Sequence, residues 1–481
     1  MPTELSASQS PRPARPSGAG SLIPIFTSGL VVAIYEVVAA ASMAALIFSG
    51  ELSTDVARGV GLALFGAAIT GATIALLGSL PGTIGGVQDA PAAIMALIAG
   101  AIVATLPSGA SADERFMTVV AAIAISTLLT GACLLAIGYF RLGNLVRFLP
   151  YPVVGGFLAG TGWLLFSGGL GMMSGLNLTV ANLAQFFAPD VLLLWLPGLL
   201  WAIIAFLAMR RFEHALLLPG LIAAGIILFY LVAWLANASP AQLSQQGLLL
   251  GPFPEGRMWQ PPSFDDLGFI NWQAILSQAP AFGTIVILSL VGVLLNSSGL
   301  EVTFRKDVNL NRELRAAGIG NLLSGLGAGI IAFQQLSGSA LSLGLKAASR
   351  WVGIMAAAVC GLFLLFGGST LSLFPKGILG GLLLLVGLSF LYDWLVPAWS
   401  RLPRQDYAVV VIILITTAVV GFLQAVLLGL LIAIILFVVS YSWADVVRAE
   451  MSGATFPSRV TRSRWQQALL DQASDQLVIF Q

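Results

Sequence analysis

Gln88-Asp89-Ala90-Pro91 follows a glycine-rich gap (Gly82, Gly85, Gly86) inside a chain that is 58% hydrophobic. A carboxylate at that depth is costly in a bilayer and is kept mostly where it faces a cavity, a partner or a moving solute. Glu36, in the middle of LVVAIYEVVAAAS, is a second such group, and two polar clusters could join them: Asn296-Ser297-Ser298 and Ser337-Gly338-Ser339. Carboxylates, an amide and small hydroxyls beside glycine-rich backbone can carry protons and hold a small solute. Gln88, Asp89, Ala90, Ser337, Gly338 and Ser339 are therefore candidates to contact the solute, and Asp89 and Glu36 to couple it to protons. Plainer roles compete. Asp89 could be the N-cap of a short helix, with Pro91 tolerated in its first turn. Glu36 could be a protonated structural group, Gln88 could satisfy backbone at the break, Ser337 and Ser339 could be caps, and Asn296, Ser297 and Ser298 could hold helices together.

Other chemistries are poorly supplied. The single histidine, His214, sits among Arg210, Arg211 and Glu213 and reads as a solvated residue at a membrane edge. There is no H-E-x-x-H, and Cys133 and Cys360 lie far apart within apolar runs, without disulfide or zinc spacing. No enzyme, metal or cofactor is expected. A net charge of +1, from 22 Lys+Arg and 21 Asp+Glu, leaves no footprint for nucleic acid.

The elements that must position these residues are membrane helices. Apolar stretches fall at roughly 22–48, 58–80, 90–106, 117–139, 149–170, 191–209, 215–236, 281–300, 314–333, 337–346, 351–372, 377–391, 407–422 and 424–441, fourteen in all. The third and tenth are too short to cross a ~30 Å core as continuous helices. Counting fourteen, with the N-terminus inside, puts eighteen of the 22 Lys and Arg on the cytoplasmic side and leaves Arg58, Arg115, Arg257 and Lys376 outside. A wrong parity would scramble that bias. Two halves of seven segments must have inverted topology, and short segments at matching positions of inverted repeats point to a midplane site. The organisation expected is a disordered cytoplasmic tail over 1–20, a first repeat over 21–236, an external connection over 237–280, a second repeat over 281–443 and a cytoplasmic end over 444–481. The charged run from Glu301 to Glu313 reads as a helix end laced with ion pairs.

Residues 141–169, RLGNLVRFLPYPVVGGFLAGTGWLLFSGG, resemble the segment-five signature of the SulP sulfate-permease family. Asn311-Arg312-Glu313-Leu314 with Gly318 and Asn321 is similar to that family's N-R-E-L-x-x-x-G-x-x-N, and residues 337–342 (SGSALS) resemble its S-R-S-A-x-N. The resemblance covers residues 22–445. It implies a seven-plus-seven inverted-repeat, all-α membrane protein with core and gate domains, commonly a homodimer, and solute held between the facing N-termini of segments three and ten, beside one and eight, which adds Asn296 and Ser297 to the expected solute contacts. It also implies a cytoplasmic STAS domain after segment fourteen, whose opening strand would be Asp475-Gln476-Leu477-Val478-Ile479-Phe480.

This chain departs from the pattern. Gly338 replaces the arginine of S-R-S-A-x-N, Asp89 stands where relatives carry Gly or Ser, and Glu36 where they carry Pro or an apolar residue; the acid of segment eight in some members is absent. Two facing helix N-termini offer about one positive charge. With both acids ionised the sum is about −1, and a sulfate dianion ~6 Å away would meet a penalty of about 5 kcal/mol. Protonating the acids removes it, and so does a solute with its own positive charge. The expectation is a SulP-type secondary transporter of a small anion, nominally sulfate, coupled to protons, in a bacterial inner membrane with both termini cytoplasmic. The alternatives are proton-linked transport of a cationic or zwitterionic metabolite such as a basic amino acid, and an anion channel.

Overall fold

Every apolar stretch carries a helix. The computed structural model describes residues 22–107, 109–143, 151–176, 178–179, 182–212, 214, 216–251, 253, 258–260, 268–345, 347–442, 450–452, 460, 462–474 and 478–480. In the first half α1 spans Leu22–Ile47, α2 Val56–Leu77, α3 Asp89–Thr105, α4 Ala112–Tyr139, α5 Tyr151–Ser174, α6 Pro189–Arg211 and α7 Leu217–Leu235. In the second half α8 spans Ala279–Phe304, α9 Leu310–Leu326, α10 Leu336–Gly344, α11 Arg350–Phe366, α12 Lys376–Arg401, α13 Arg404–Val419 and α14 Phe422–Ser442. Among the described residues eight spans are long and apolar enough to cross a membrane. With 17 and nine residues, α3 and α10 are not among them.

The breaks before the two short helices hold β-structure that the sequence did not announce. β1 (Ile84–Val87) pairs antiparallel with β2 (Ala332–Gln335), in register Ile84↔Gln335 through Val87↔Ala332. Backbone groups at this depth have no water to bond, so two breaks that meet satisfy each other. The stretch read as apolar over 314–333 therefore splits. α9 stops at Leu326, Ala328 takes a left-handed φ of 56°, and the chain runs into β2. Asn321 fixes that turn: its amide donates to Ala317 O (2.8 Å) and Ala332 O (2.6 Å), and its carbonyl accepts Ala332 N–H (3.1 Å).

α1 to α4 and α8 to α11 form one packed group around the ribbon, through contacts of α4 with α9, α2 with α11 and α9, and α1 with α11. α5, α6, α12 and α13 pack on one another as a second group, which meets the first where α1 touches α12 and α3 touches α5. Glycine sets the closeness in both groups. A methyl group at Gly318 of α9 would stand 2.5 Å from Leu135 N of α4, and one at Gly387 of α12 would stand 2.7 Å from Gly162 O of α5. Arg210 binds Asp393 at 2.5 Å, tying α6 to α12.

The charged run after α8 does not form the expected ion pairs among the described residues. Glu313, fully buried, accepts Ser79 N–H and Oγ–H at 2.6 Å, and Arg312 donates to Leu77 O at 2.7 Å. Arg350, further along, donates to the carbonyls of Ala75, Leu76 and Gly78. These groups close the C-terminal end of α2, where a helix leaves carbonyls unbonded.

A second compact unit begins at Leu428. It contains β3 (Glu450–Ser452), a helix α15 (Arg464–Gln472) opened by a Ser463/Gln466 capping box, and β4 (Val478–Phe480), which pairs antiparallel with β3. The tail over 1–20, residues 144–150 of the segment-five motif, and Asp475, Gln476 and Leu477 of the expected STAS strand lie outside the described residues.

Candidate functional site

The ribbon delivers two helix N-termini to one place. Val87 leads into Gln88, the N-cap residue of α3, and the last residue of β2, Gln335, is the N-cap residue of α10. Neither uses its side chain as a cap. Gln88 Nε2 instead donates to Gly86 O (3.0 Å) and Phe333 O (2.9 Å), and Gln335 Nε2 donates to Val87 O (2.7 Å). Each amide thus ties its own break to the other strand.

Asp89 is not the N-cap residue. It occupies the first helical position of α3, half-buried, and its Oδ1 accepts the Ala90 N–H at 3.2 Å. Pro91 sits two residues further, where a missing N–H costs nothing because first-turn donors have no helical acceptor. Ser337 and Ser339 are not N-caps either. Ser339 Oγ donates to Gln335 O (2.5 Å) and accepts Ile84 N–H (2.9 Å), closing the end of the ribbon, whereas Ser337 Oγ lies 3.0 Å from Tyr35 OH.

α8 supports the ribbon from one side. Asn296 Nδ2 donates to Gln334 O (2.9 Å) and lies 3.5 Å from Gln88 Oε1. Ser297 Oγ donates to Val293 O (2.6 Å) and accepts from Gln334 Nε2 (2.9 Å). Gln88, Asn296, Ser297 and Ser339 are therefore engaged by the ribbon, and Ala90 lies half-buried in the first turn of α3.

Glu36 completes the site. Its carboxylate lies between the two breaks: a methyl group at Gly86 would stand 1.9 Å from Oε2, and one at Gly338 would stand 2.9 Å from Oε1. The residue is 2% exposed and neither oxygen has a hydrogen-bond partner among the described residues. Gln334 Oε1 and Gln335 Oε1 are buried and unpartnered as well. The ion pairs among the described residues involve neither Glu36 nor Asp89. The glycine at 338, where the motif elsewhere carries arginine, leaves the room that Glu36 fills.

Three residues of this site escaped the sequence reading: Tyr35, Gln334 and Gln335. Gln335 had a signal. Val-Gln before α3 and Gln-Gln before α10 occupy equivalent places in the two halves, so the first glutamine points to its counterpart. No cluster of three or more metal-ligating side chains occurs among the described residues. The arrangement can bind an anion on two convergent helix starts and can hold a proton, or a cationic group, on Glu36.

The sulfate permease family model matches residues 25–413. Among curated proteins, the vacuolar basic amino acid transporter VSB1 of Saccharomyces cerevisiae is 27% identical over 383 residues, 76% of this chain and 36% of its own. The bicarbonate transporter BicA of Picosynechococcus sp. is 25% identical over 447 residues, covering 89% of this chain and 74% of its own. The chain thus spans about a third of the yeast protein. Among solved structures, the transmembrane domain of a cyanobacterial BicA superposes with a TM-score of 0.61 at 19% identity, over 87% of this chain and 98% of that one. The fold is the helical membrane fold of that domain, a seven-plus-seven inverted repeat.

Proposed function

This chain belongs to the sulfate permease family, and from that membership we propose a secondary active transporter that moves a small anion, nominally sulfate, together with protons carried on Glu36 and Asp89. The observation that carries the reading is the unpartnered Glu36 carboxylate between the two helix starts. A charge removed from water without a partner is costly, and a proton supplies the simplest partner. With Glu36 and Asp89 protonated the helix starts face the anion unopposed; with both ionised, a dianion meets about 5 kcal/mol of repulsion. Anion and proton then bind together and leave together. The distribution of Lys and Arg supports reading both termini as cytoplasmic, and the reading sets the chain in a bacterial inner membrane with two copies paired. The β3–β4 pairing supports reading residues 444–481 as the opening of a STAS domain.

Radiolabelled sulfate uptake into proteoliposomes tests this directly. Acid outside and neutral inside should drive accumulation, and collapsing the gradient should stop it. Folded protein that takes up no sulfate under any imposed gradient would overturn the anion reading, and flux indifferent to the gradient would make the protein a channel.

A second reading is favoured by the same carboxylate and by the likeness to VSB1. A basic or zwitterionic amino acid could set its ammonium group on Glu36 or Asp89 and its carboxylate on the helix starts. That reading expects saturable arginine uptake, and loss of arginine binding in Asp89→Asn. Retained affinity with lost proton dependence returns the case to the anion.

A further inference from the structure

A cavity of about 400 Å³ lies between α1, α10 and the corner joining α6 to α7, and polar groups stand on its walls. Its walls include Tyr35, Ser337, Met209, Phe212 and His214. Tyr35 and Ser337 share one hydrogen bond at 3.0 Å in which either can donate. One bond consumes one of two hydroxyl protons, so the other remains to donate to a ligand whichever way the pair is oriented. His214 Nδ1 accepts the Leu216 N–H at 3.2 Å. An accepting nitrogen carries no proton, so the neutral ring has its N–H on Nε2. The rest of the lining, among the described residues, is apolar and includes Leu217, Leu218, Pro219 and Leu341. Such a space offers hydrogen-bond donors to an anion.

Two of the residues that line the cavity adjoin the Glu36 gap along the chain. Tyr35 and Ser337 directly precede Glu36 and Gly338, and a methyl group at Gly338 would already stand 2.9 Å from Glu36 Oε1. We infer that Tyr35, Ser337 and His214 form a receiving site for an oxyanion or carboxylate group on its way to Glu36, and that Tyr35 and His214 help set which solutes pass. This rests on the proposal that the chain carries solutes bearing an anionic group. The recognised chemistry, oxygen atoms sharing a negative charge, is common to sulfate, bicarbonate and the carboxylate of an amino acid.

The test measures initial uptake rates against concentration in proteoliposomes of the full chain, with sulfate, bicarbonate and arginine as probes. For each probe that the wild type carries, the double variant Tyr35→Phe/Ser337→Ala and the single variant His214→Ala should each raise KM about tenfold while kcat stays within about twofold, because each removes one donor to a charged group. His214→Gln, which keeps an N–H near the position of Nε2, should recover most of that loss. A KM unchanged in either donor-deleting variant overturns the shared site, as does His214→Gln behaving like His214→Ala, or a loss confined to kcat. Those results leave the anion reading standing. A folded wild type that carries none of the three probes overturns both.

Discussion

Glu36 and the two glycines beside it form a single unit. With 1.9 Å between a Gly86 methyl position and Oε2, Gly86→Ala forces the carboxylate out of its place. Overpacking of this kind costs about 1–3 kcal/mol. The loss should fall in Gly86→Ala/Glu36→Ala, because the second change removes the nearer of the two groups that collide, Gln335 Nε2 at 2.9 Å being the other, so the two effects should not be additive. Thermal unfolding in detergent of both single variants and the double variant measures this; additive losses would mean that Glu36 does not occupy the gap. Glu36 and Asp89 drew notice in the sequence because charge stands out in apolar runs, and Gly338 because it replaces the arginine of the family motif. Tyr35 did not, since nothing in a helical sequence tells which hydroxyl meets a serine 302 residues away. Gln88, Asn296, Ser297 and Ser339 read as solute contacts with a structural role as the competing reading, and the structure shows them bonded to the ribbon, whose full backbone needs could not be counted before the strands were known.

Among the elements, the ribbon is what brings α3 and α10 together, and Asn321 is its anchor on α9. Replacing Asn321 with Ala removes two donated bonds and one accepted bond and leaves Ala332 N and O buried without that partner. The expected cost is about 2–4 kcal/mol, read as lowered thermal stability. Asn321→Asp keeps the acceptor for Ala332 N–H and should lose less when protonated, so its deficit should shrink at low pH; equal losses at all pH values would contradict this role. Helices were predicted well because length and hydropathy decide them. The strands were missed because IGGV and AFQQ are four residues each, inside or beside apolar runs, and pair across about half the chain. A pairing that distant has no local periodicity to betray it.

For the whole molecule, the alternation of Lys and Arg along the fourteen stretches predicts a sidedness that labelling from outside the membrane can test. With Cys133 and Cys360 replaced, Glu114→Cys in the first turn of α4 should react with a membrane-impermeant thiol reagent added outside, and Arg404→Cys in the first turn of α13 should react only after permeabilisation. The reverse pattern would invert the topology, and with it the direction in which the inverted repeat opens. The repeat itself was legible, because two short segments fall at matching places in halves of seven. Transport follows from that architecture, since two half-helices meeting at a ribbon make a site that two packed groups of helices can expose to either side. On the proposed reading, what travels turns on whether the partner of Glu36 is a proton or the solute's own charge. The most direct measurement is interior pH in proteoliposomes when sulfate is added outside, for the wild type and for Glu36→Gln. Sulfate should acidify the interior of wild-type vesicles, whereas Glu36→Gln should still exchange labelled sulfate with that acidification greatly reduced; acidification at the wild-type rate in Glu36→Gln would contradict the account.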